Sequence, residues 1–321
     1  MVKAPKNMQS NQPLSSAAPI LHRSLGSPYA EKVMLALGYL GAPWYSVVAP
    51  KGVPRPIQNE LVAGYSRRIP ILQIGADIYC DTNLILAELG QRAGRPEMEL
   101  LNSSAEAQEL DEFIETYGFV TMVGALSKWE LITAYFRNLP VKDAVEFLKD
   151  RRKLAKKNPL PKQNLKLNRE KARRYLEKIN QRLLKSPYLF SNKAPTYLDF
   201  SLYTMIWYHA EINGLSLAKD LTGIQTWFSQ MKNIGYSDYS ELDPKEALLL
   251  AQQSDPQILQ IPEKQAETEV TIKSTDNLSR ITPSISGCLI HEDSRKYIIR
   301  RESSEVGVVH VHFPKNRFEI I

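Results

Sequence analysis

Residues 67–93, "RRIPILQIGADIYCDTNLILAELGQRA", limit the possible fold more than any other stretch. They read as two strands joined at Gly75-Ala76-Asp77, a hairpin signal, with Pro70 at the head of the first strand. Proline brings no amide hydrogen, so it belongs at a strand's first residue or on an edge. A helix follows directly. Asp81 or Thr82 starts it, and apolar residues recur at Leu84, Ile85, Leu86 and Leu89.

Upstream, "PILHRS" reads as a strand, "PYAEKVMLALGYLG" as a helix and "WYSVVAP" as a second strand, with a loop punctuated by Pro54 and Pro56. The order β-α-β, connection, β-β-α predicts a parallel first pair and an antiparallel second pair. Residues 19–93 form one α/β domain on this reading. Residues 105–240 are helical, beginning with "AEAQELDEFIETYGFVTMVGALSKWELITAYF", long enough for one helix of eight turns. Within "APTYLDFS", Thr196 and Asp199 have capping-box spacing, which satisfies the otherwise unpaired amides of a helix start. Residues 241–268 read as a helix opened by Pro244 and a polar linker, and residues 1–18 as a disordered tail. In residues 269–321 the period changes to two, and five short strands predict a small barrel or sheet appended to the helical domain.

Composition excludes several classes. At 43% hydrophobic and 24% charged, the chain is ordinary for a globular protein, and no apolar run reaches membrane-spanning length. Two cysteines far apart, Cys80 and Cys288, give no disulfide framework, so a reducing cytoplasm is expected. Residues 151–185 hold fourteen Lys or Arg against two Glu, and the rest of the chain carries a net −6. Aromatic residues are not interleaved with those cations as a stacking platform requires, so the stretch reads as a solvated helix face and not as a nucleic-acid footprint.

The chemistry gathers around three helix starts and strand starts. Ser27 precedes the first helix, where amide hydrogens and the helix dipole place about half a positive charge. Serine there is first of all a cap, but its hydroxyl can also donate to a thiolate. A free thiol is only about 3% ionised at neutral pH, and lowering its pKa by two units costs about 2.7 kcal/mol of differential stabilisation. One charge-assisted bond plus a helix terminus can supply that. A cis bond at Ile69-Pro70 would turn the backbone groups of Ile69 outward to pair with an extended peptide. Asp81 suits a ligand ammonium, the Thr82 amide and hydroxyl suit a ligand carboxylate, and Arg68 suits a second carboxylate. Together they describe a site for a small peptide with an amino-acid head and a thiol.

Residues 19–235 resemble a glutathione transferase, a thioredoxin-like domain followed by an all-helical domain. "SPYAEKV" is similar to the serine-type start of the tau-like and phi-like classes, "RRIPILQIGADIYCDTNLILAEL" to the family's central motif, and "PTYLDFS" to its capping segment. The resemblance implies glutathione as co-substrate with no metal. It implies Ser27 as the activating hydroxyl, Ile69 and Pro70 as the backbone-pairing step, Asp81 and Thr82 as the γ-glutamyl clamp, and Arg68 at the glycyl end. It also implies a small hydrophobic electrophile as second substrate, a detoxifying role, a homodimer and no membrane insertion. Asp-Thr stands where the family has Glu-Ser, which shortens the acid by one methylene. The second function class is a non-catalytic protein that binds glutathione or a hydrophobic ligand, with the C-terminal strands docking a partner.

The same start also resembles a glutaredoxin, with "SPYA" for "CPYC". Serine cannot form the mixed disulfide, and Cys80 is expected to be buried, so redox exchange is disfavoured. Ser24 is a rival hydroxyl in the same loop. His310 and His312 share one face of a strand and read as its solvent face. With His291 they form a weaker metal alternative.

Overall fold

The computed structural model describes residues 15–62, 64–100, 103–118, 126–157, 164–214, 217–257, 268–275 and 283–321. The first half follows the expected order. β1 (Ile20–Arg23), α1 (Pro28–Leu40) and β2 (Trp44–Val48) form the parallel β-α-β unit. β3 (Ile71–Ile74) and β4 (Asp77–Cys80) form the antiparallel hairpin, followed by α3 (Thr82–Arg92). Gly75 turns that hairpin at φ +59°, a backbone conformation that glycine adopts without steric cost. The segment expected as a loop holds α2 (Pro56–Val62), with Pro56 in its first turn, where the missing amide hydrogen is harmless.

The helical half comprises α4 (Ala105–Phe113), α5 (Lys128–Asn138), α6 (Val141–Lys157), α7 (Leu165–Leu183), α8 (Tyr197–Trp207) and α9 (Thr222–Lys232). The single long helix expected over 105–136 does not form. α4 passes into a π-helical turn at Ile114–Gly118, and α5 starts afresh behind Ser127. Ser127 and Glu130 make a capping box there, the Ser127 amide donating to Glu130 Oε2 at 2.6 Å and the Glu130 amide to Ser127 Oγ at 3.2 Å. The Thr196–Asp199 capping box is present as expected. Fully buried Asp199 accepts from the Thr196 amide and hydroxyl, the Leu189 amide and Trp227 Nε1, all between 2.8 and 3.0 Å.

β5 (Tyr239–Glu241), which the sequence reading missed, adds parallel to β2, with Tyr239 stacked on Trp44 at 4.5 Å. α10 (Pro244–Gln252) follows, capped by Asp243. The last five strands are β6 (Thr268–Ser274), β7 (Ile285–Glu292), β8 (Lys296–Ser303), β9 (Gly307–Pro314) and β10 (Phe318–Ile320). Their placement corrects one expectation. They do not append to the helical domain, because β9 pairs parallel with β4 and extends the sheet of the first domain. The result is one ten-stranded sheet ordered β10-β6-β7-β8-β9-β4-β3-β1-β2-β5. One apolar core spans the junction, joining Leu61, Tyr65, Ile71, Ile78 and Cys80 to Ile285, Ile299, Val311, Phe313 and Phe318. A second core joins α1, α3 and β1 to α8 and α9, so the two halves of the chain share an apolar core. Of the expected tail, residues 1–14 lie outside the described residues, and residues 15–18 form a turn closed by the Ala18 amide on the Ser15 carbonyl.

Candidate functional site

Strand register places the candidate residues at one end of the sheet. Ile71 stands opposite His22 on β1 and opposite Cys80 on β4. β3 therefore begins where β1 and β4 end, bringing the Ser24–Ser27 loop, Pro70 and Asp81 together. The Ile69–Pro70 bond is cis.

Ser27 is the N-cap of α1 and its Oγ accepts the Ala30 amide at 3.4 Å. Among the described residues no acceptor takes its hydroxyl proton. The half-buried side chain thus uses a lone pair locally and keeps its O–H to give. Ser24 differs. It is buried, its hydroxyl lies 3.4 and 3.3 Å from the Ala49 and Pro50 carbonyls, and Arg55 Nη2 reaches it at 3.5 Å. Its proton is directed at the loop carbonyls, which sets it apart from Ser27.

Asp81 caps α3, with Oδ1 accepting the Asn83 amide at 2.9 Å, and holds φ at +75°. Non-glycine residues seldom occupy that region, and such positions concentrate at functional sites. Thr82, buried, opens the helix beside it. Arg68 donates from Nη2 to Ser274 Oγ at 3.0 Å, so a side chain of β6 holds the guanidinium expected at the glycyl end of a ligand.

Several residues of the site were not legible in the sequence. A side chain at Gly26 would meet Lys51 Nζ at 3.7 Å and Ile212 Cδ1 at 3.6 Å, which sets a cation and an apolar wall beside the start of α1. Burial lowers the Lys51 ammonium to about 8, with Asp143 opposing the shift and Arg55 and Arg23 adding to it. Arg55 is buried and donates to the carbonyls of Pro50, Lys51 and Arg67, fixing the loop that carries Lys51. On the other flank, the guanidinium of Arg317 stands among three acids, with Nε 3.9 Å from Asp81 Oδ2, Nη2 3.9 Å from Asp111 Oδ2 and Nη1 3.9 Å from Glu115 Oε2. Lys32, fully buried, donates to Tyr197 Oη at 2.9 Å and to Glu115 Oε1 at 3.3 Å. Burial raises Asp111 to about 6, against the pull of Lys32. Asp111 and Glu115 are four apart, the spacing of one helix face, and that was the available signal. Lys51 and Arg317 sit in loop and turn, where no period marks them.

Of the C-terminal histidines, His310 and His312 both approach Asp77 Oδ1, at 3.9 and 2.9 Å, while His291 lies beside Asp293. His312 is fully buried against Asp77, which corrects its reading as part of a strand's solvent face. No group of three metal-ligating side chains occurs among the described residues, and none of their helices is long and apolar enough to cross a membrane. Cys80 is fully buried, and burial pushes its thiol well above the usual range, against any redox role.

Residues 21–97 match the family model for the glutathione S-transferase N-terminal domain, and residues 148–229 that for the C-terminal domain. No curated protein sequence matches significantly. Among solved structures, a GST-like protein from Pseudomonas syringae superposes with a TM-score of 0.70 at 25% identity, covering 94% of this chain and 98% of that one. That share is too large to leave out the C-terminal strands. A Tau class glutathione S-transferase from mango (Mangifera indica) gives a TM-score of 0.47 at 11% identity over 74% of this chain and 99% of its own. A possible glutathione S-transferase from Rhodopseudomonas palustris gives 0.45 at 20% identity over 70% and 93%. With both family domains matched in order, and with the thioredoxin-like and helical halves built as described, the chain belongs to the glutathione transferase family.

Proposed function

We propose that the protein binds a small thiol peptide of the glutathione class across this end of the sheet and transfers its sulfur to a small hydrophobic electrophile. The observation that carries the reading is the state of Ser27: a half-buried hydroxyl at the positive end of α1 whose proton no acceptor takes among the described residues. Donation from that hydroxyl to sulfur, with the helix terminus behind it and the Lys51 ammonium nearby, favours thiolate over thiol. Ile69 lends backbone groups to the middle of the ligand, and Arg68 and Thr82 face its anionic ends. The sulfur then attacks the electrophile, the new carbon–sulfur bond forming as the leaving group departs with its electron pair. Ile212, which approaches Gly26 from the helical half, supplies apolar surface where such an electrophile would lie.

Two measurements test this in turn. Calorimetric titration with glutathione asks whether a site exists, and absence of heat and of thermal shift would defeat the reading. Conjugation of glutathione to a generic aryl halide then compares wild type with Ser27→Ala. A loss of about 100-fold in kcat with binding retained supports Ser27 as the activating group. An unchanged rate overturns that role.

Binding without turnover is favoured by one observation, the contacts that β6 and the β9–β10 turn make with Arg68 and Asp81. Measurable heat of binding with no conjugation of any electrophile would select it.

A further inference from the structure

We propose that the outer faces of α5 and α6 form a docking surface for an anionic lipid bilayer, on which the chain rests without crossing it. The inference goes beyond the proposed function and does not depend on it.

The surface begins with apolar side chains that the fold leaves in water. Trp129 is 76% exposed, Val141 68%, Phe136 42% and Val145 37%. Trp129 and Phe136 are seven apart, two turns of α5, and so share one face. Only Leu139 and Pro140 separate α5 from α6, so Phe136 and Val141 flank a single short turn. The inward sides of the two helices are occupied separately. Ala134 and Ala144 are buried, and Tyr135 meets Phe147 edge-on at 4.8 Å. Scattered apolar exposure is ordinary, but four such side chains on two consecutive helices, one of them tryptophan, mark an interaction surface.

Charge says what covers it. Residues 128–157 carry nine Lys or Arg against four acids. Two of the acids are engaged elsewhere: Asp150 faces Arg67 at 3.2 Å and Arg151 at 2.9 Å, while Glu130 caps α5 and faces Arg169 at 3.3 Å. Glu146 is the exposed acid of α6. Lys142, Lys149, Arg152, Lys153 and Lys156 are exposed, and among the described residues no acid forms an ion pair with any of them. Val141, Val145, Lys149, Arg152 and Lys156 recur every three or four positions, so one stripe of α6 passes from apolar at its start to cationic at its end.

A bilayer rich in anionic headgroups satisfies both ends of that stripe. Tryptophan and phenylalanine settle between headgroups and acyl chains, and Lys and Arg remain at the phosphates. A second copy fits less well, because a two-fold contact pairs a surface with itself and would set the same unpaired cations against one another. Nucleic acid would meet the cations but offers nothing to Val141 and Val145.

Cosedimentation of the full chain with phosphatidylcholine vesicles, with and without about 30% phosphatidylserine, decides this. The wild type is expected to bind the anionic vesicles about tenfold more tightly than the neutral ones, to release in high salt, and to shift its tryptophan emission to the blue. Trp129→Ser should lose the emission shift and weaken binding about tenfold. Lys149→Glu combined with Arg152→Glu should weaken it about 100-fold. Both variants alter exposed side chains alone, and thermal unfolding like that of wild type confirms their fold. Absence of binding to anionic vesicles overturns the proposal, as does binding that neither variant weakens. Dimerisation lost in Trp129→Ser, or retention of a DNA duplex, each without vesicle binding, also overturns it and assigns the face to a second copy or to nucleic acid.

Discussion

His312 Nε2 stands 2.9 Å from Asp77 Oδ1, tying β9 to β4 where the C-terminal strands join the rest of the sheet. The second Asp77 oxygen accepts the Gln257 amide at 2.8 Å, and Tyr79 stacks on the imidazole at 4.3 Å. A buried acceptor with two donors is costly to remove. Asp77→Ala should lower stability by about 2–3 kcal/mol in urea titration. Because one apolar core spans the seam, wild type should unfold in a single calorimetric transition, and a separate early transition of the C-terminal strands would contradict the shared core. Burial alone would raise the Asp77 carboxyl, yet the His312 hydrogen bond and the Gln257 amide hold it below the usual range. Its contribution is therefore present above the unfolded carboxylate value and is lost as pH falls through its lower, folded one.

His22 gives a second acid-sensitive point. Its Nε2 lies 2.9 Å from Gln73 Oε1 and its Nδ1 lies 3.2 Å from Gln58 Nε2, an arrangement that suits a neutral ring donating from Nε2. Burial lowers the imidazole from 6.5 to about 4. The unfolded state then takes up a proton that the folded state refuses, so stability falls as pH drops from 6.5 towards 4, by about 3 kcal/mol. Imidazole titration by NMR should find His22 neutral at pH 5, and a protonated ring there would refute the assignment.

Glu31 acts in the opposite sense. It is buried on α1, accepts the Tyr236 hydroxyl at 2.5 Å, and burial raises it from 4.5 to about 7. Here the folded state holds the proton longer, so the group is neutral in the fold at mild acidity and costs stability as pH rises from 4.5 to 7. Glu31→Gln should therefore unfold at higher denaturant than wild type above pH 7, by about 2 kcal/mol, and should show no gain below the unfolded value.

Asp199, itself fully buried, satisfies four donors at once, two of them on half-buried Thr196. Asp199→Ala strands all four and should cost about 3–5 kcal/mol, enough to lower the yield of folded protein. Asp199→Asn keeps an oxygen and should cost less. Thermal melts of the pair rank them, and a mild effect of the alanine variant would refute the capping account.

What was legible in the sequence follows the range of the interactions that set it. The hairpin turn at Gly75, the caps at Ser27, Asp81 and Thr196 and the five C-terminal strands were read correctly, because each is dictated within a few residues. The break behind Ser127 was also local, a Ser-x-x-Glu start hidden inside an apolar run that continued on both sides. The partner of β9 was not local. Nothing near Val311 names Ile78, more than two hundred positions earlier, as its neighbour, and an alternating strand reads the same whether it pairs with its own hairpin or with a distant edge. Arg317 was missed for that reason. All six site residues named from the sequence lie at one sheet end, but what stands against Asp81 and Arg68 was decided by the far pairing.

The strand order has a consequence for how the molecule meets its own copies. The outermost strands of the ten, β10 and β5, are each three residues long, while the longest strands lie inside with neighbours on both sides. Unpaired amides and carbonyls along an extended border are what recruit a foreign strand. By laying its own tail along β4, this chain covers the border that its first domain would otherwise expose, and a second molecule finds at either limit too short a run to zip against.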